Sequence, residues 1–313
     1  MNTKLTSLLS IRYPVIQGAM AWISDARLAA AVSEAGGAGT IATGGRDAVW
    51  VRDQIREAKR LTDKPFGVNV MLMAPNRDEV VDVICEEKVA YVTLGAGNPV
   101  PYFAKFSEAG IKKIPVVPNS RLAQRVEASG ADAIVIEGME AGGHIGVLTT
   151  MALMTQVIPL LNIPVIAAGG FADGRGVAAA LVMGAAGVQI GTRFLVADEC
   201  GVHPNFKQRL LAAGDTDSVV TGYTIGHGVR GVKNLFTDKY LALERQGTPA
   251  EELDKLATGT SRLAAVDGDV ENGMVQAGQS LLPLQKLESV RTILDRIMTE
   301  SEEVLAKAPN LLK

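Results

Sequence analysis

The chain has 313 residues, 47% of them hydrophobic and 21% charged, with a formal net charge of −3 and a pI near 5.8. That composition predicts a globular protein with one large core and leaves no basic footprint for a nucleic acid. No apolar run reaches the roughly 18 residues of a membrane span, and the apolar patch near the start is cut by serines, arginine and proline, so a soluble, cytoplasmic protein is expected. Two cysteines, Cys85 and Cys200, do not make a zinc site or a disulfide framework; no metal is expected, and Cys85 is read as core.

Short, mostly β-branched apolar runs recur at 15–17, 39–42, 66–69, 91–94, 114–117, 133–136, 165–168 and 187–190. Between them, segments 25–35, 49–61, 77–87, 102–109, 120–129, 150–161 and 174–183 place apolar residues at helical spacing. Strands that are apolar throughout are buried on both faces and call for a parallel sheet. Eight βα repeats predict a (β/α)8 TIM barrel, with an open doubly wound sheet as the alternative.

After Phe194 the rhythm breaks, and about ninety residues of mixed pattern follow, with helical stretches at 205–213 and 249–257, the latter opened by a Thr248 cap. An amphipathic run at 290–305, with Val290, Ile293, Leu294, Ile297 and Met298 on one face, then completes the outer ring. The expected division is a barrel over 1–199, a small inserted substrate or lid domain over 200–282, and a C-terminal helix over 283–313 that returns to the barrel.

The chemistry concentrates at the carboxyl ends of the strands. After strand six, Gly142, Gly143 and Gly146 surround His144, one of three histidines, and remove the Cβ atoms that would hold a flat ligand off the backbone. The loops after strands seven and eight, with Ala168, Gly169, Gly170, Gly191 and Thr192, fit a phosphate held by backbone N–H groups. No strand–GxGxxG–helix unit and no Walker A loop is present, so a mononucleotide with a flat ring fits better than a dinucleotide, and FMN fits best. Asn69 after strand three and Glu137 after strand six face the same space; a carboxyl ending an apolar strand needs a hydrogen-bonding partner there.

The segments QGAMAW (17–22), KPFGVNVML (64–72), GAGNP (95–99), IEGMEAGGHIG (136–146), IPVIAAGGFADG (163–174), QIGTRF (189–194) and VQAGQ (275–279) together resemble the flavin-dependent enoyl-acyl carrier protein reductases II, which belong with the nitronate monooxygenases. The similarity covers nearly the whole chain. It implies FMN bound by Gly18, Ala19, Met20, Ala21, Asn69, Glu137, Gly143, Ala168, Gly169, Gly170, Gln189, Gly191, Thr192, Gln276, Gly278 and Gln279. Ala19 stands where the family pattern has a second glycine, and Gln276 where it often has methionine.

The resemblance further implies that NADH or NADPH delivers hydride to bound flavin, which passes it to the β-carbon of an enoyl thioester carried on acyl carrier protein. His144 is the matching catalytic position, holding the thioester carbonyl or relaying a proton. A homodimer is also implied. Oxidation of alkyl nitronates with O2, as by a nitronate monooxygenase, is the alternative activity. His203 and His227 read as turn, domain-contact or substrate-contact residues, and Arg230 and Lys233 as solvated cations or contacts for an acidic carrier protein or the cofactor phosphates.

Overall fold

The computed structural model describes residues 1–312. Eight strands form one parallel sheet: β1 (Val15–Gln17), β2 (Gly39–Ala42), β3 (Phe66–Met71), β4 (Tyr91–Gly95), β5 (Lys112–Val117), β6 (Ile134–Glu137), β8 (Val165–Ala168) and β9 (Gly187–Ile190). A two-residue strand, β7 (Gly143–His144), lies outside this sheet. The order runs β1-β9-β8-β6-β5-β4-β3-β2, and the ends meet where the Gln17 N–H donates to the Ala38 carbonyl (2.8 Å) and the Ala38 N–H to the Val15 carbonyl (2.9 Å). The sheet is therefore the closed barrel expected from eight repeats.

Alternation along each strand makes two apolar layers. Ile16, Tyr91, Ile114, Val135, Ile166 and Ala168 fill the interior, with the helix Lys4–Leu9 packed beneath them through Leu5 and Leu9. The opposite faces, among them Ile41, Val68, Val92, Ile134 and Val188, pack against the outer helices. Several helices open on a side-chain cap: Asp25, Asp47, Asn119, Asp173 and Ser289 each accept a backbone N–H of the first turn. The helix over 150–161 stops at Val157 and continues as a short 3-10 turn, since Pro159 lacks the N–H that an α-helix would use there. The helix Val290–Lys307 buries Val290, Ile293, Leu294, Ile297 and Met298, each worth about 1.5–3 kcal/mol of apolar burial. Its Glu300 carboxylate accepts the Gly174 N–H (2.8 Å), seating it beside the helix Gly174–Val182.

The intervening chain holds the helix Pro204–Leu211, the strands β10 (Ser218–Thr221) and β11 (Val229–Val232), and the helices Leu235–Arg245, Ala250–Ala257 and Thr260–Ala265. Two details differ from the sequence reading. Thr248 does not cap the helix Ala250–Ala257, whose N-cap position is Pro249, with no side-chain cap bond. Cys85 lies half-buried at the margin of its helix, because the inward stripe is Val80, Val81, Val83 and Ile84; Cys200 is buried.

β10 and β11 form an antiparallel hairpin, and β11 pairs in turn with β7, Val229 opposite His144 and Arg230 opposite Gly143. The loop after β6 and the insertion thus share one three-stranded sheet above the barrel mouth.

Candidate active site

Five pieces of chain converge at the carboxyl ends of the strands around a cavity of about 240 Å³. They are the loops after β1 (Gly18, Ala19, Met20, Ala21), β6 (Glu137, Gly143, His144), β8 (Ala168, Gly169, Gly170) and β9 (Gln189, Gly191, Thr192), and the segment holding Gln276 and Gly278. A second cavity of about 340 Å³ adjoins it, sharing Ala19, Ala21, Glu137, His144 and Gln189, and adds Asn69, Met71, Thr93, Pro118 and Ile145. Asn69 borders only this second space, where its amide also donates to the Thr93 hydroxyl (3.0 Å). The expected site residues meet there with one exception: the Gln279 side chain is exposed outside both cavities, since its backbone N–H is drawn to the Glu140 carbonyl (2.9 Å) and Ser280 takes its place in the lining.

The floor of the β1 loop is built by Gln17, which is fully buried. Its amide accepts from the Thr40 N–H (3.0 Å) and donates to the Ser24 hydroxyl (2.9 Å), which in turn accepts the Met20 N–H (2.9 Å). Gln17 positions the wall and does not reach the cavity.

The loops after β8 and β9 form the candidate phosphate cradle expected from the sequence. Gly169 and Gly170 hold φ of +96° and +84°, a left-handed conformation that favours glycine. Among the described residues the N–H groups of Gly170, Gly191 and Thr192 have no protein acceptor. A Cβ on Gly191 would project into open cavity, with the Met20 sulfur its nearest neighbour at 3.9 Å. The Thr192 hydroxyl accepts the Gly278 N–H (2.8 Å), which brings the 276–280 segment over the cradle and leaves the hydroxyl proton for a ligand. Free N–H groups, a hydroxyl and absent Cβ atoms are what a phosphate monoester requires.

Polar groups inside the cavity are also unpartnered. Neither the Glu137 carboxyl nor the Gln189 amide makes a side-chain hydrogen bond among the described residues, and burial pushes the Glu137 carboxyl up to about 7. The sequence-level expectation that Glu137 needs a partner is therefore left to a ligand.

The β6 loop is pinned from two sides, by residues whose roles the sequence did not show. The Glu140 carboxylate accepts the Thr150 N–H (2.9 Å) and hydroxyl (2.8 Å). Arg230 is 3% exposed, not a surface cation, and donates from Nε to the Met139 carbonyl (2.8 Å) and from a terminal nitrogen to the Ser218 hydroxyl (2.9 Å). Lys233 is exposed. His144 then stands on β7 at the junction of the two cavities. Its ring opens to the mouth, yet the surrounding protein and then the nearby His227 lower its pKa below the ordinary histidine value. His227 is exposed beside Asp254 (3.2 Å), and His203 caps its helix by accepting the Asn205 N–H (3.1 Å). Neither lines the two cavities.

A family model described as nitronate monooxygenase matches residues 2–86 and 74–300. The chain belongs to the nitronate monooxygenase family. It is an enzyme, a flavin-dependent oxidoreductase. One relative, 36% identical over 98% of this chain and 85% of its own, is the (3aS,4S,5R,7aS)-5-hydroxy-7a-methyl-1-oxo-octahydro-1H-indene-4-carboxyl-CoA dehydrogenase of Rhodococcus jostii. Another, from Staphylococcus saprophyticus, is a probable nitronate monooxygenase, 30% identical over 97% of this chain and 99% of its own. Among solved structures, FabK from Thermotoga maritima superposes with a TM-score of 0.96 at 44% identity, covering 99% of each chain.

Proposed function

We propose that the protein is an FMN-dependent enoyl-acyl carrier protein reductase that takes hydride from NADH or NADPH and delivers it to the β-carbon of a trans-2-enoyl thioester. The observation that carries this reading is the placement of His144 between the two cavities, with a phosphate cradle at the far side of one and open space for an acyl chain in the other. The similarity to FabK, an enoyl-acyl carrier protein reductase II, exceeds that to the probable nitronate monooxygenase, and the Rhodococcus relative is named for a CoA thioester.

Bound flavin would supply the relay between a two-electron donor and the enoyl β-carbon. The chain's own residues do the rest. Gly169, Gly170, Gly191 and Thr192 hold the phosphate. Glu137, near its midpoint at neutral pH, accepts from a hydroxyl as a carboxylate or donates as an acid, and Gln189 offers both an acceptor and donors. His144, kept neutral by its lowered pKa, donates an N–H to the thioester carbonyl as charge develops on that oxygen and relays the proton bound for the α-carbon. Residues 200–282 act as the lid, since they carry β11, which holds β7, and the Gln276–Gly278 wall. Acyl carrier protein as the thioester's carrier and a homodimeric assembly complete the proposal; light scattering and carrier-bound crotonyl substrate test them.

The second reading is oxidation of alkyl nitronates with O2, favoured by the family model itself. The deciding experiment starts from the visible spectrum of the purified protein. NADH is then titrated anaerobically, followed by crotonyl thioester. Bleaching by NADH and recovery of colour on the thioester support the reductase. Failure of both, with O2 consumption on a nitronate, would establish the second reading instead.

A further inference from the structure

Next to the flavin cavity lies a separate chamber of about 380 Å³, within the range of small-molecule sites, for which the reading above has no use. Its walls include Trp22, Asp25, Arg46, Trp50 and His203, and Ile23 lines both it and the flavin cavity, so the β1 loop is the partition between them. Arg46 is its distinctive feature. The guanidinium carbon lies 4.7 Å from the Trp22 ring centre and 4.4 Å from that of Trp50, in contact with both indoles. Its hydrogen bond within the protein is to the Trp22 carbonyl at 3.3 Å, and among the described residues no carboxylate lies within 4.0 Å of it. A second cation, Arg262, stands 5.9 Å over Trp22. Contact with two indole faces holds the Arg46 guanidinium in place without neutralising it, an arrangement suited to an anion that arrives from outside.

Two helices also begin at this chamber, where Asp25 and His203 cap Ala26–Glu34 and Pro204–Leu211, and a third, Ala48–Leu61, lines it with Trp50 and Gln54. Asp25 is the acidic group in the wall. One of its oxygens is spent on the Leu28 N–H (3.0 Å), and the other remains for a donor such as a ribose hydroxyl.

We propose that this chamber binds the adenosine diphosphate portion of an extended ligand whose reactive end reaches past Ile23 into the flavin cavity, with Arg46 holding the phosphates. NAD(P)H and CoA thioesters both carry that group. The inference rests on the proposed function for the reactive end but not for the ADP contact itself, so ADP alone is the first probe.

Calorimetric titration of ADP into flavin-loaded protein should show binding that Arg46→Met weakens about tenfold or more, the worth of a charge-assisted contact to phosphate. Arg46→Met keeps an apolar chain against the indoles. Arg46→Lys, which keeps the charge but not the planar guanidinium, should retain part of the affinity. Flavin content and thermal midpoint report whether either variant has merely misfolded. Two kinetic arms then identify the source. If the chamber serves the nicotinamide donor, Arg46→Met raises the KM for NADH and not for reduced nicotinamide mononucleotide. If it serves CoA, the KM for crotonyl-CoA rises and that for crotonyl-pantetheine does not. No ADP binding by the wild type, or equal loss with full and truncated ligands, overturns the assignment. Failure of enoyl reduction with Arg46-dependent ADP binding intact would strike the proposed function and leave this site standing.

Discussion

His144 sits directly opposite Val229, so the candidate catalytic histidine belongs to a sheet whose other strands come from residues more than seventy positions downstream. The Ile145 N–H donates to the Gly228 carbonyl at 3.0 Å and closes the same contact. The insertion is thereby part of the site's framework, and the geometry of His144 depends on whatever keeps β11 in place.

Arg230 is the chief such fastener. Arg230→Met would leave the part-buried Met139 carbonyl without its donor, at an expected cost of about 1–3 kcal/mol in stability. Flavin content should persist, because the cradle lies on other loops. Enoyl reduction should fall more than NADH-driven reduction of an artificial acceptor. Unaltered enoyl turnover would show that β7 needs no such anchor.

His144→Ala should retain flavin while enoyl thioester reduction slows by roughly 10² to 10⁴. Stopped-flow measurement of both half-reactions in one variant separates the roles. Equal loss in each would mean that His144 positions the flavin. Because the imidazole pKa lies below the ordinary value, the neutral form prevails at pH 7, and the His144-dependent part of the rate should decline only on the acid side of about pH 6.5. A decline centred well above that pH would contradict the neutral assignment.

Gly191→Leu should abolish flavin retention and leave a folded barrel. Its φ of −108° suits any residue, and the new side chain would occupy the phosphate space instead of clashing with the protein. A colourless protein with a near-wild-type thermal midpoint of the apo form is expected. Full yellow colour would place the phosphate elsewhere.

Glu137→Gln should trade ligand binding for stability. Burial raises the Glu137 pKa from 4.5 to about 7, so the folded apo protein keeps this proton longer than the unfolded chain does. Its stability must then fall as pH rises through that window. The amide variant removes the dependence, gaining about 1–3 kcal/mol at pH 8 and nothing at pH 4. Urea midpoints at the two pH values measure this. Flavin affinity should drop in parallel, since a carboxylate acceptor is lost from the cavity.

The barrel was legible because each of its strands is largely buried on both faces and so must be mostly apolar, a demand that the runs from Val15 to Ile190 meet one after another. The one cap read from the sequence, Thr248, is not used, since the chain starts that helix one residue later, whereas Asp25, Asp47, Asn119 and Asp173 supply the cap oxygens of four barrel helices. Most of the cavity lining could be named because glycine-rich loops follow strand ends, where backbone must approach a ligand. Gln279 was misplaced because spacing along an extended segment does not say which side chain faces inward. That depends on the bond from its N–H to Glu140.

The sequence by itself determined the eight-fold repetition and placed His144, Gly169, Gly170 and Gly191 just past strand ends, all set by local pattern and by burial over a few residues. Only the tertiary structure decided that a Gly–His pair becomes a strand, that Arg230 is buried beneath the loop it serves, and that Arg46 lies against Trp22 and Trp50 with no carboxylate within 4.0 Å among the described residues. These are relations between segments far apart in the chain. Each exists because a backbone group or a charge had to find its partner, or fail to find one, in the finished packing.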